Sequence, residues 1–409
     1  MRILIISQYF WPESFRINDL AQGLRDGGHR VTVLTGKPNY PGGKFFAGYG
    51  FFKKAREDYQ GIEVIRVPLV PRGSASGFRL VLNYLSFAAF ASLLAPIRCR
   101  GNFDVIFVFE PSPITVGLPA LLLKKLTKAP IAFWVQDLWP ESLSATGAIS
   151  SAWILKRVEG LVRYIYRGCD LILVQSEAFC SAIENLGMSR KCIRYFPNSA
   201  EALYKPIARR EDLVGSAGVP RGFRVMFAGN IGVAQDFGTI LDAAEKLKPY
   251  TDIHWLIVGD GRMLPWVKEQ AEKRGVVGTF HFLGRQPMES MPHYFSAADV
   301  MLATLKKEPI FSLTIPAKVQ SYLACGKPLI AALEGEGARI VREAGAGLTP
   351  SAENSEELAG AILEMYRMGD AERQAMGERG RKYFEAHFER HMLLERLEGW
   401  FSELINKTI

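Results

Sequence analysis

Short apolar, β-branched runs recur along the chain and alternate with segments of helical periodicity. In the first half these runs are RILIIS, RVTVLT, IEVIRV, DVIFVF, IAFWV and DLILVQ. Short apolar runs with helical segments between them are typical of buried parallel strands joined by crossover helices. One such helix, INDLAQGLRDGG, is predicted to end at Gly27 and Gly28. The first half of the chain therefore predicts a doubly wound α/β domain.

The alternation stops at residues 197–222, where Pro, Gly and charged residues replace the apolar period and predict a linker. It resumes with FRVMFAGN, DIHWLIVGD, VGTFHFLG, DVMLATL, KPLIAAL and AGAGLTP. The predicted fold class is α/β, with two Rossmann-like, doubly wound parallel-sheet domains, 1–198 and 199–387, facing across a cleft. Apolar residues at helical spacing near the end predict a C-terminal helix, about 388–409, that crosses back to complete the first domain.

Composition adds a charge asymmetry to this pattern. The chain of 409 residues has a net charge of +8, and its first 100 residues hold 14 Lys and Arg against 6 Asp and Glu. A basic region on one side favours an anionic partner, although a basic face that only aids solubility is the alternative. Five scattered cysteines without a C-x-x-C pair predict neither a zinc site nor a disulfide framework, and they fit a reducing compartment. The apolar N-terminus is too short for a signal peptide, and we expect a protein that is not exported.

The loop after the first strand, QYFWPESFRIND, lacks the G-x-G-x-x-G of a dinucleotide site, which makes a nicotinamide or flavin enzyme improbable. It instead offers aromatic residues with one acid, Glu13, and one base. Such a surface suits a sugar or a lipid-linked head group, while capping of the sheet edge by Phe10 and Trp11 is an equal alternative. The residues predicted to bind an acceptor are Tyr9, Trp11, Arg16, Asn39 and Tyr40.

A glycine-bracketed turn follows the first strand of the second domain, in MFAGNIGVAQDFGTIL. Strand-to-helix turns of this kind bind phosphate, because backbone N–H groups and the helix dipole converge there. No Lys or Arg lies between Arg224 and Lys246. We therefore expect this loop to contribute amides, from the backbone of Ile231 and Gly232 and from the side chains of Asn230 and Gln235.

A cation is expected to come from TIPAKVQSYLACGKP, residues 314–328. Pro316 is suited to be the first helical residue, which leaves the N–H groups of Ala317 and Lys318 unpaired at the helix start. A lysine in the first helical turn opposes the helix dipole, so its position is explained if an anion binds there. A solvated surface lysine is the alternative.

The motifs of both halves, taken in order, resemble glycosyltransferase family 4. In the second half they are GNIG with QDF, VGDG at 258–261, FLGR at 282–285, AADVML at 297–302 and YLACGKPLIAA at 322–332. In the first half they are GHRVTVLT at 28–35, WVQDLWPES at 134–142 and FPNS at 196–199. The resemblance covers nearly the whole chain and is nearest to bacterial enzymes that build O-antigen, capsule or colanic-acid-type polysaccharide.

This resemblance implies a GT-B fold and retaining, metal-independent sugar transfer without a cofactor. We expect the donor to be a nucleoside-diphosphate sugar, UDP with an N-acetylated amino or deoxy sugar, and the acceptor to be a lipid-linked saccharide. Lys318 is the expected catalytic cation, and Asp137 and Glu13 are unranked candidates for a base. The expected donor-binding residues are Gly229, Asn230, Ile231, Gly232, Gln235, Asp260, Arg285, Thr314, Ile315, Pro316, Ala317, Lys318 and Ser321.

Three departures from the family pattern concern charge. The family usually places Arg and Lys where this chain has Asn230 and Gln235, and a Glu pair where it has Leu313 and Ser321. Gln136 precedes Asp137 where many members have His. We interpret the chain as a divergent active branch. The alternatives are an NDP-sugar epimerase of the same shape or a non-catalytic sugar-nucleotide binding protein.

Residues 80–97, LVLNYLSFAAFASLLAPI, are apolar on almost every face and flanked by arginines. A membrane span is improbable, because a strand of the sheet follows within seven residues. A buried helix and a helix docked in the membrane interface both remain open, and the aromatic and basic loop 42–54 favours docking. We expect residues 42–100 to contact an anionic membrane surface and not nucleic acid. The predicted location is cytoplasmic, peripherally bound to the inner face of the cytoplasmic membrane.

Overall fold

A computed structural model describes residues 1–73, 77–145, 151–209, 212, 215 and 221–408. The chain divides into two compact units, which are described separately. Unit 1 comprises Met1–Pro197 together with His391–Ile409, and unit 2 comprises Asn198–Arg390. The predicted boundaries lay after residues 198 and 387. Much of the predicted linker lies outside the described residues.

Unit 1 contains an eight-stranded sheet in the order β3-β4-β2-β1-β5-β6-β7-β8. Its strands are β1 Arg2–Ile6, β2 Arg30–Gly36, β3 Arg56–Tyr59, β4 Ile62–Val67, β5 Val105–Glu110, β6 Ile131–Val135, β7 Leu171–Val174 and β8 Ile193–Tyr195. Neighbouring strands are parallel except for the antiparallel pair β3 and β4. The apolar pattern predicted the six inner strands but not the short edge strands β3 and β8, because an edge strand of four residues or fewer buries too little to show a period.

Helices cover both faces of this sheet. They are α1 Arg16–Asp26, α2 Gly77–Arg98, α3 Gly117–Thr127, α4 Glu141–Ala145, α5 Ala152–Arg167 and α6 Ala178–Asn185. Ile17, Leu20 and Leu24 of α1 join alternate strand residues such as Ile3 and Ile5 in one buried core. Helices α2 and α3 contact the strands as well as each other. Since both faces are covered, the central strands are apolar along their whole length.

Unit 2 contains a six-stranded parallel sheet in the order β11-β10-β9-β12-β13-β14. Its strands are β9 Phe223–Ala228, β10 Ile253–Val258, β11 Phe280–Gly284, β12 Val300–Thr304, β13 Leu329–Ala332 and β14 Gly347–Leu348. Its helices are α7 Phe237–Lys246, α8 Leu264–Lys273, α9 Met291–Ala297, α10 Pro309–Ser312, α11 Ala317–Ala324, α12 Gly335–Glu343, α13 Ser355–Arg367 and α14 Asp370–His387. Each unit is therefore a doubly wound α/β sheet, as the sequence predicts.

The last helix, α15 Arg390–Thr408, belongs to unit 1. Leu393, Leu397 and Phe401 are buried in the same core as α1, and the Phe401 ring centroid lies 5.6 Å from that of Phe107 on β5. The predicted return of the C-terminal helix to the first domain is confirmed.

Helix α2 packs by one face and exposes the other. Asn83, Phe87, Ala88, Ala91 and Ala95 are buried, whereas the outward apolar side chains are Phe78 (75% exposed), Val81, Leu82, Leu85 (52%), Leu93 (67%) and Ile97 (57%). By length and composition α2 could cross a membrane, although 28% of its most apolar window is buried inside the protein. The buried face agrees with the core-helix interpretation, and docking of the exposed face in a membrane interface stays a prediction.

Candidate functional site

The glycine turns after β9 and β10 lock together at the carboxyl edge of the unit 2 sheet. Gly229 N–H donates to Val258 O at 2.9 Å, and Gly259 N–H donates to Gly284 O at 2.8 Å. Both glycines have positive φ, +135° and +143°, which L side chains rarely adopt. A Cβ on Gly259 would meet Gly229 O at 1.9 Å. Only glycine at 259 therefore allows this approach of the two loops.

The GNIG loop presents fewer free amides than the sequence suggests. Ile231 N–H donates to Asp260 O at 2.8 Å, and Gly232 N–H donates to the side-chain oxygen of Gln235 at 3.1 Å. In this conformation the neighbouring turn and Gln235 already use both backbone amides, so a phosphate would have to displace these hydrogen bonds, and the predicted contact stays a prediction. Asn230 is exposed beside them, where its amide remains open to a ligand.

Lys318 brings its charge to this loop, close to Gly229. Its Nζ lies 3.7 Å from the centroid of the Phe227 ring and would be 3.5 Å from a Cβ on Gly229. Lys318 as a whole residue keeps some exposure, but its Nζ atom is buried and has no hydrogen-bond partner among the described residues. Burial lowers the pKa of Lys318 to about 7. The geometry excludes the solvated surface lysine that the sequence left open.

Helix α11 carries Lys318 in its first turn. Pro316 is the residue before the first helical turn, one position earlier than predicted, and its C=O accepts from Val319 N–H at 2.9 Å. The N–H groups of Ala317 and Lys318 have no partner within the described part of the chain. An unpaired helix start and an unpaired ammonium therefore occur in the same turn, which is a favourable arrangement for an anion.

The other predicted donor-side residues differ in exposure. Asp260 and Arg285 are exposed in loops after β10 and β11, on the same sheet edge. Ile315 is buried, and Thr314 donates its hydroxyl to Phe311 O at 3.1 Å. Ser321 is buried and donates to Ala317 O at 3.3 Å, so this hydroxyl is used within its own helix. These residues stay predictions as ligand contacts.

In unit 1, Glu13 lies after β1 and is 2% exposed. Its Oε1 accepts from Asn39 N–H at 2.8 Å and Tyr40 N–H at 2.7 Å, whereas its buried Oε2 has no partner among the described residues. Burial raises the pKa of Glu13 to about 7, against the opposing effect of these two N–H groups. One of the two carboxyl oxygens of Glu13 therefore holds the backbone of residues 39 and 40 in place.

Of the three aromatic residues predicted to bind an acceptor, Tyr9 and Tyr40 lie together and Trp11 does not join them. The rings of Tyr9 and Tyr40 lie 5.8 Å apart, and Arg72, which sequence reasoning missed, donates to the Tyr9 hydroxyl at 2.9 Å and lies 5.0 Å above the Tyr40 ring. Tyr40 is 38% exposed, so this group could face a ligand. Trp11 instead stacks on Tyr59 at 4.8 Å and packs against the core, as the sheet-capping alternative expected.

Asn39 has a more local role than predicted. Asn39 is fully buried, donates to Lys37 O at 2.9 Å and accepts from Arg72 N–H at 3.1 Å. Its side chain is satisfied by the protein, so a direct acceptor contact would require rearrangement. Arg16 is the half-buried first residue of α1.

Two acids lie at the ends of neighbouring strands in unit 1. Asp137 follows β6, and burial raises its pKa to about 7. Glu110 ends β5 and is fully buried, and its carboxyl group lies close to the backbone N–H groups of Gln136 and Asp137. Burial, and after it the charge of Asp137, raise the pKa of Glu110 well above its usual range. Sequence reasoning missed Glu110, although an acid that ends the apolar run DVIFVF was a visible signal.

Among the described residues, no group of three or more His, Cys, Asp and Glu side chains could hold a metal ion. The chemistry that this chain offers consists of a buried lysine in unit 2 and carboxyl groups with raised pKa in unit 1. Perturbed groups of this kind, placed at the carboxyl edge of parallel sheets, are typical of functional sites.

Two doubly wound units with the C-terminal helix returned to the first define the GT-B class of glycosyltransferases. Residues 14–199 match the family model described as glycosyl transferase 4-like domain, and residues 217–383 match glycosyl transferases group 1. The chain belongs to glycosyltransferase family 4.

Three relatives are similar along most of the chain. A glycosyltransferase of Pseudomonas aeruginosa named WbjE is 26% identical over 71% of this chain and 74% of its own length. An Escherichia coli K12 protein named as a colanic acid biosynthesis glycosyl transferase, WcaI, is 23% identical over 80% and 82%. The 2-deoxystreptamine N-acetyl-D-glucosaminyltransferase of Streptomyces fradiae is 24% identical over 89% and 92%.

Solved structures share the fold at lower identity. Anabaena HepE in complex with UDP and glucose has a TM-score of 0.71, with 18% identity, and covers 98% of this chain and 100% of HepE. Sucrose-phosphate synthase from Thermosynechococcus elongatus has a TM-score of 0.75 at 16% identity, with 99% of each chain covered. These values show a common GT-B architecture.

Proposed function

We propose that the chain transfers a sugar from a nucleoside diphosphate, UDP, to a lipid-linked saccharide, with retention of configuration and without a metal. The donor sugar is an N-acetylated amino or deoxy sugar, and the product is part of a bacterial surface polysaccharide.

The observation that carries this proposal is the buried, unpaired Lys318 Nζ beside Gly229. A buried ammonium without a partner is unfavourable, and a diphosphate placed at the start of α11 would supply the missing counter-charge. Lys318 would then stabilise the negative charge that develops as the sugar leaves. Asn230, from the facing loop, would add an uncharged donor.

The comparisons support the choice of substrates. HepE was crystallised with UDP, which favours UDP as the nucleotide here. The Streptomyces relative is named as an N-acetylglucosaminyltransferase, which favours an N-acetylated sugar. The E. coli relative is named for colanic acid biosynthesis, which favours an acceptor in polysaccharide assembly.

In the proposed transfer, the bond between C1 of the sugar and the diphosphate oxygen breaks as a bond from C1 to the acceptor oxygen forms on the same face. The hydroxyl proton passes to a phosphate oxygen of the leaving group or to a carboxylate. Of the two candidate carboxylates, we favour Asp137 as the proton acceptor, because Glu13 already uses Oε1 to hold two backbone N–H groups and offers only Oε2.

Membrane contact forms part of the proposal, on the exposed face of α2. Phe51, in the predicted basic loop 42–54, lies 5.4 Å from Phe90 of α2, and the adjacent Phe52 is 85% exposed. Lys53 and Lys54 are exposed next to these rings. Apolar and basic side chains on one surface favour peripheral binding to the anionic inner face of the cytoplasmic membrane.

The test is a panel of UDP-, GDP- and dTDP-sugars incubated with detergent-extracted lipid-linked saccharide, with release of nucleoside diphosphate as the readout. We expect release to require both a UDP-sugar and the acceptor, to persist in EDTA, and to give a product with the donor's anomeric configuration by NMR. Release without acceptor would indicate hydrolysis, and an isomerised donor would indicate an epimerase. Donor binding without turnover would indicate a binding protein, and each of these three results contradicts the proposal.

A further inference from the structure

A pocket of about 100 Å³ in unit 1 lies away from the carboxyl edge that carries Glu13 and Asp137. It is bordered by the first residues of β1, β2 and β3, by β4, and by the segment in which α2 ends. Five arginines line it: Arg2, Arg30, Arg56, Arg98 and Arg100. No motif in the sequence points to this pocket, because its arginines come from four separated segments.

The positive charge of this arginine pocket is only partly compensated. Glu63 is the one acid among its lining residues and pairs with Arg56 at 2.6 Å, and Asp104 lies 3.7 Å from the guanidinium of Arg2. The guanidinium of Arg30 has no hydrogen bond or ion pair within the described chain, and that of Arg100 donates to Ile97 O at 3.0 Å. Like charges held together around a concave surface favour an anion, and guanidinium groups match a phosphate group in geometry.

The pocket lies at the end of α2, the helix that exposes an apolar face. Arg98 is the last residue of that helix, and Leu93 and Ile97, in its last two turns, point outward. A ligand that reaches both surfaces must combine a phosphate with apolar chains. A phospholipid has this chemistry, whereas a free phosphate would use the arginines alone.

We propose that the arginine pocket at the end of α2 binds the phosphate group of an anionic phospholipid. This inference rests on the membrane contact in the proposed function and specifies its polar anchor. It places a head-group site on unit 1, separate from the residues that would bind the acceptor saccharide.

The test is flotation of the full chain with vesicles of phosphatidylcholine alone or with phosphatidylglycerol. The variant R30Q/R100Q removes two pocket charges whose side chains make few protein contacts. The control K382Q/K407Q removes two exposed charges outside the pocket, and L85S/L93S reduces the apolar face of α2. Since each basic residue near an anionic surface adds about fivefold to membrane affinity, we expect R30Q/R100Q to weaken binding to anionic vesicles about 10- to 30-fold. K382Q/K407Q should change it less than threefold.

If R30Q/R100Q and K382Q/K407Q lose vesicle binding equally, the arginine pocket is not the binding site, since such a result would indicate non-specific attraction between a basic surface and the vesicle. A rise in melting temperature with inorganic phosphate, lost in R30Q/R100Q but without vesicle binding by the wild type, would overturn the lipid assignment. Unchanged flotation of R30Q/R100Q together with loss in L85S/L93S would reject this inference while keeping membrane contact. Absence of flotation by the wild type would reject both the arginine-pocket inference and the proposed membrane contact. Sugar transfer to detergent-solubilised acceptor is scored separately and should be unchanged in R30Q/R100Q.

Discussion

The Tyr322 hydroxyl forms two hydrogen bonds with Ala228, accepting from its N–H and donating to its C=O, both at 3.2 Å. Tyr322 is fully buried on α11, and Ala228 is the last residue of β9. This contact holds the helix that carries Lys318 against the strand that leads into Gly229. The position of Lys318 relative to the Gly229 turn thus depends on Tyr322, four residues after the lysine.

Tyr322→Phe should lower the free energy of unfolding by roughly 1–3 kcal/mol, because both backbone groups of Ala228 lose a partner in a buried place. Urea denaturation measures this change. Tyr366→Phe is the control, since that hydroxyl bonds Asp252 at 2.8 Å at an exposed site and should cost less than about 0.5 kcal/mol. If both variants lose the same free energy of unfolding, the hydrogen bonds between Tyr322 and Ala228 stabilise the protein no more than an exposed hydrogen bond does.

Gly259→Ala should disrupt the donor side of unit 2. The new Cβ would overlap Gly229 O, and the backbone at +143° is strained for alanine, so we expect a loss of at least about 2 kcal/mol in unfolding free energy and weaker UDP binding. Gly278→Ala, which meets no atom within 4 Å, is the matched control. Calorimetric titration with UDP and thermal unfolding check both effects, and native-like values for Gly259→Ala would contradict the locked turns.

Lys318→Met should reduce activity and at the same time increase the stability of the ligand-free protein. Loss of the cation should reduce kcat about 10²- to 10³-fold, the range for removing one preorganised electrostatic donor. The same change removes a buried, unpaired ammonium, so the ligand-free variant should unfold at a higher temperature than the wild type. Near-normal turnover, or a lower unfolding temperature without UDP, would count against the assigned role.

Binding of UDP should take up a proton at pH 8. In the free protein the pKa of Lys318 is about 7, so the amine is mostly neutral at pH 8, and a neighbouring diphosphate would raise that pKa. UDP affinity should therefore fall as pH rises above 7, by up to tenfold per unit. Titration calorimetry in buffers of different ionisation enthalpy counts the protons. Lys318→Met should show no such uptake, and buffer-independent heats for the wild type would exclude this coupling.

Asp137→Asn and Glu13→Gln should differ. If Asp137 accepts the hydroxyl proton, its loss should reduce kcat about 10²- to 10⁴-fold and remove the rise in rate through pH 7 that its raised pKa gives the wild type. Glu13→Gln keeps an oxygen for the N–H groups of Asn39 and Tyr40, so its rate should fall far less. A flat wild-type profile through pH 7 would point to a phosphate oxygen as the acceptor. The opposite ranking of the variants would favour Glu13.

The sequence alone determined the architecture of both units and the family. Burial on both faces of a parallel sheet leaves continuous apolar runs that can be read without knowing their partners, and the return of the last helix followed from its apolar spacing. Lys318 could also be singled out, because a cation at a helix start is locally unfavourable.

Only the tertiary structure decided which groups are free to act. Ile231 N–H is used by Asp260 O, and Lys318 is buried against Phe227, both through segments distant in the chain. The arginine pocket likewise depends on β1, β2 and the end of α2 coming together. Hydrogen bonding, burial and pKa depend on the side chains and backbone that fold against a residue, and a local sequence pattern does not contain those neighbours.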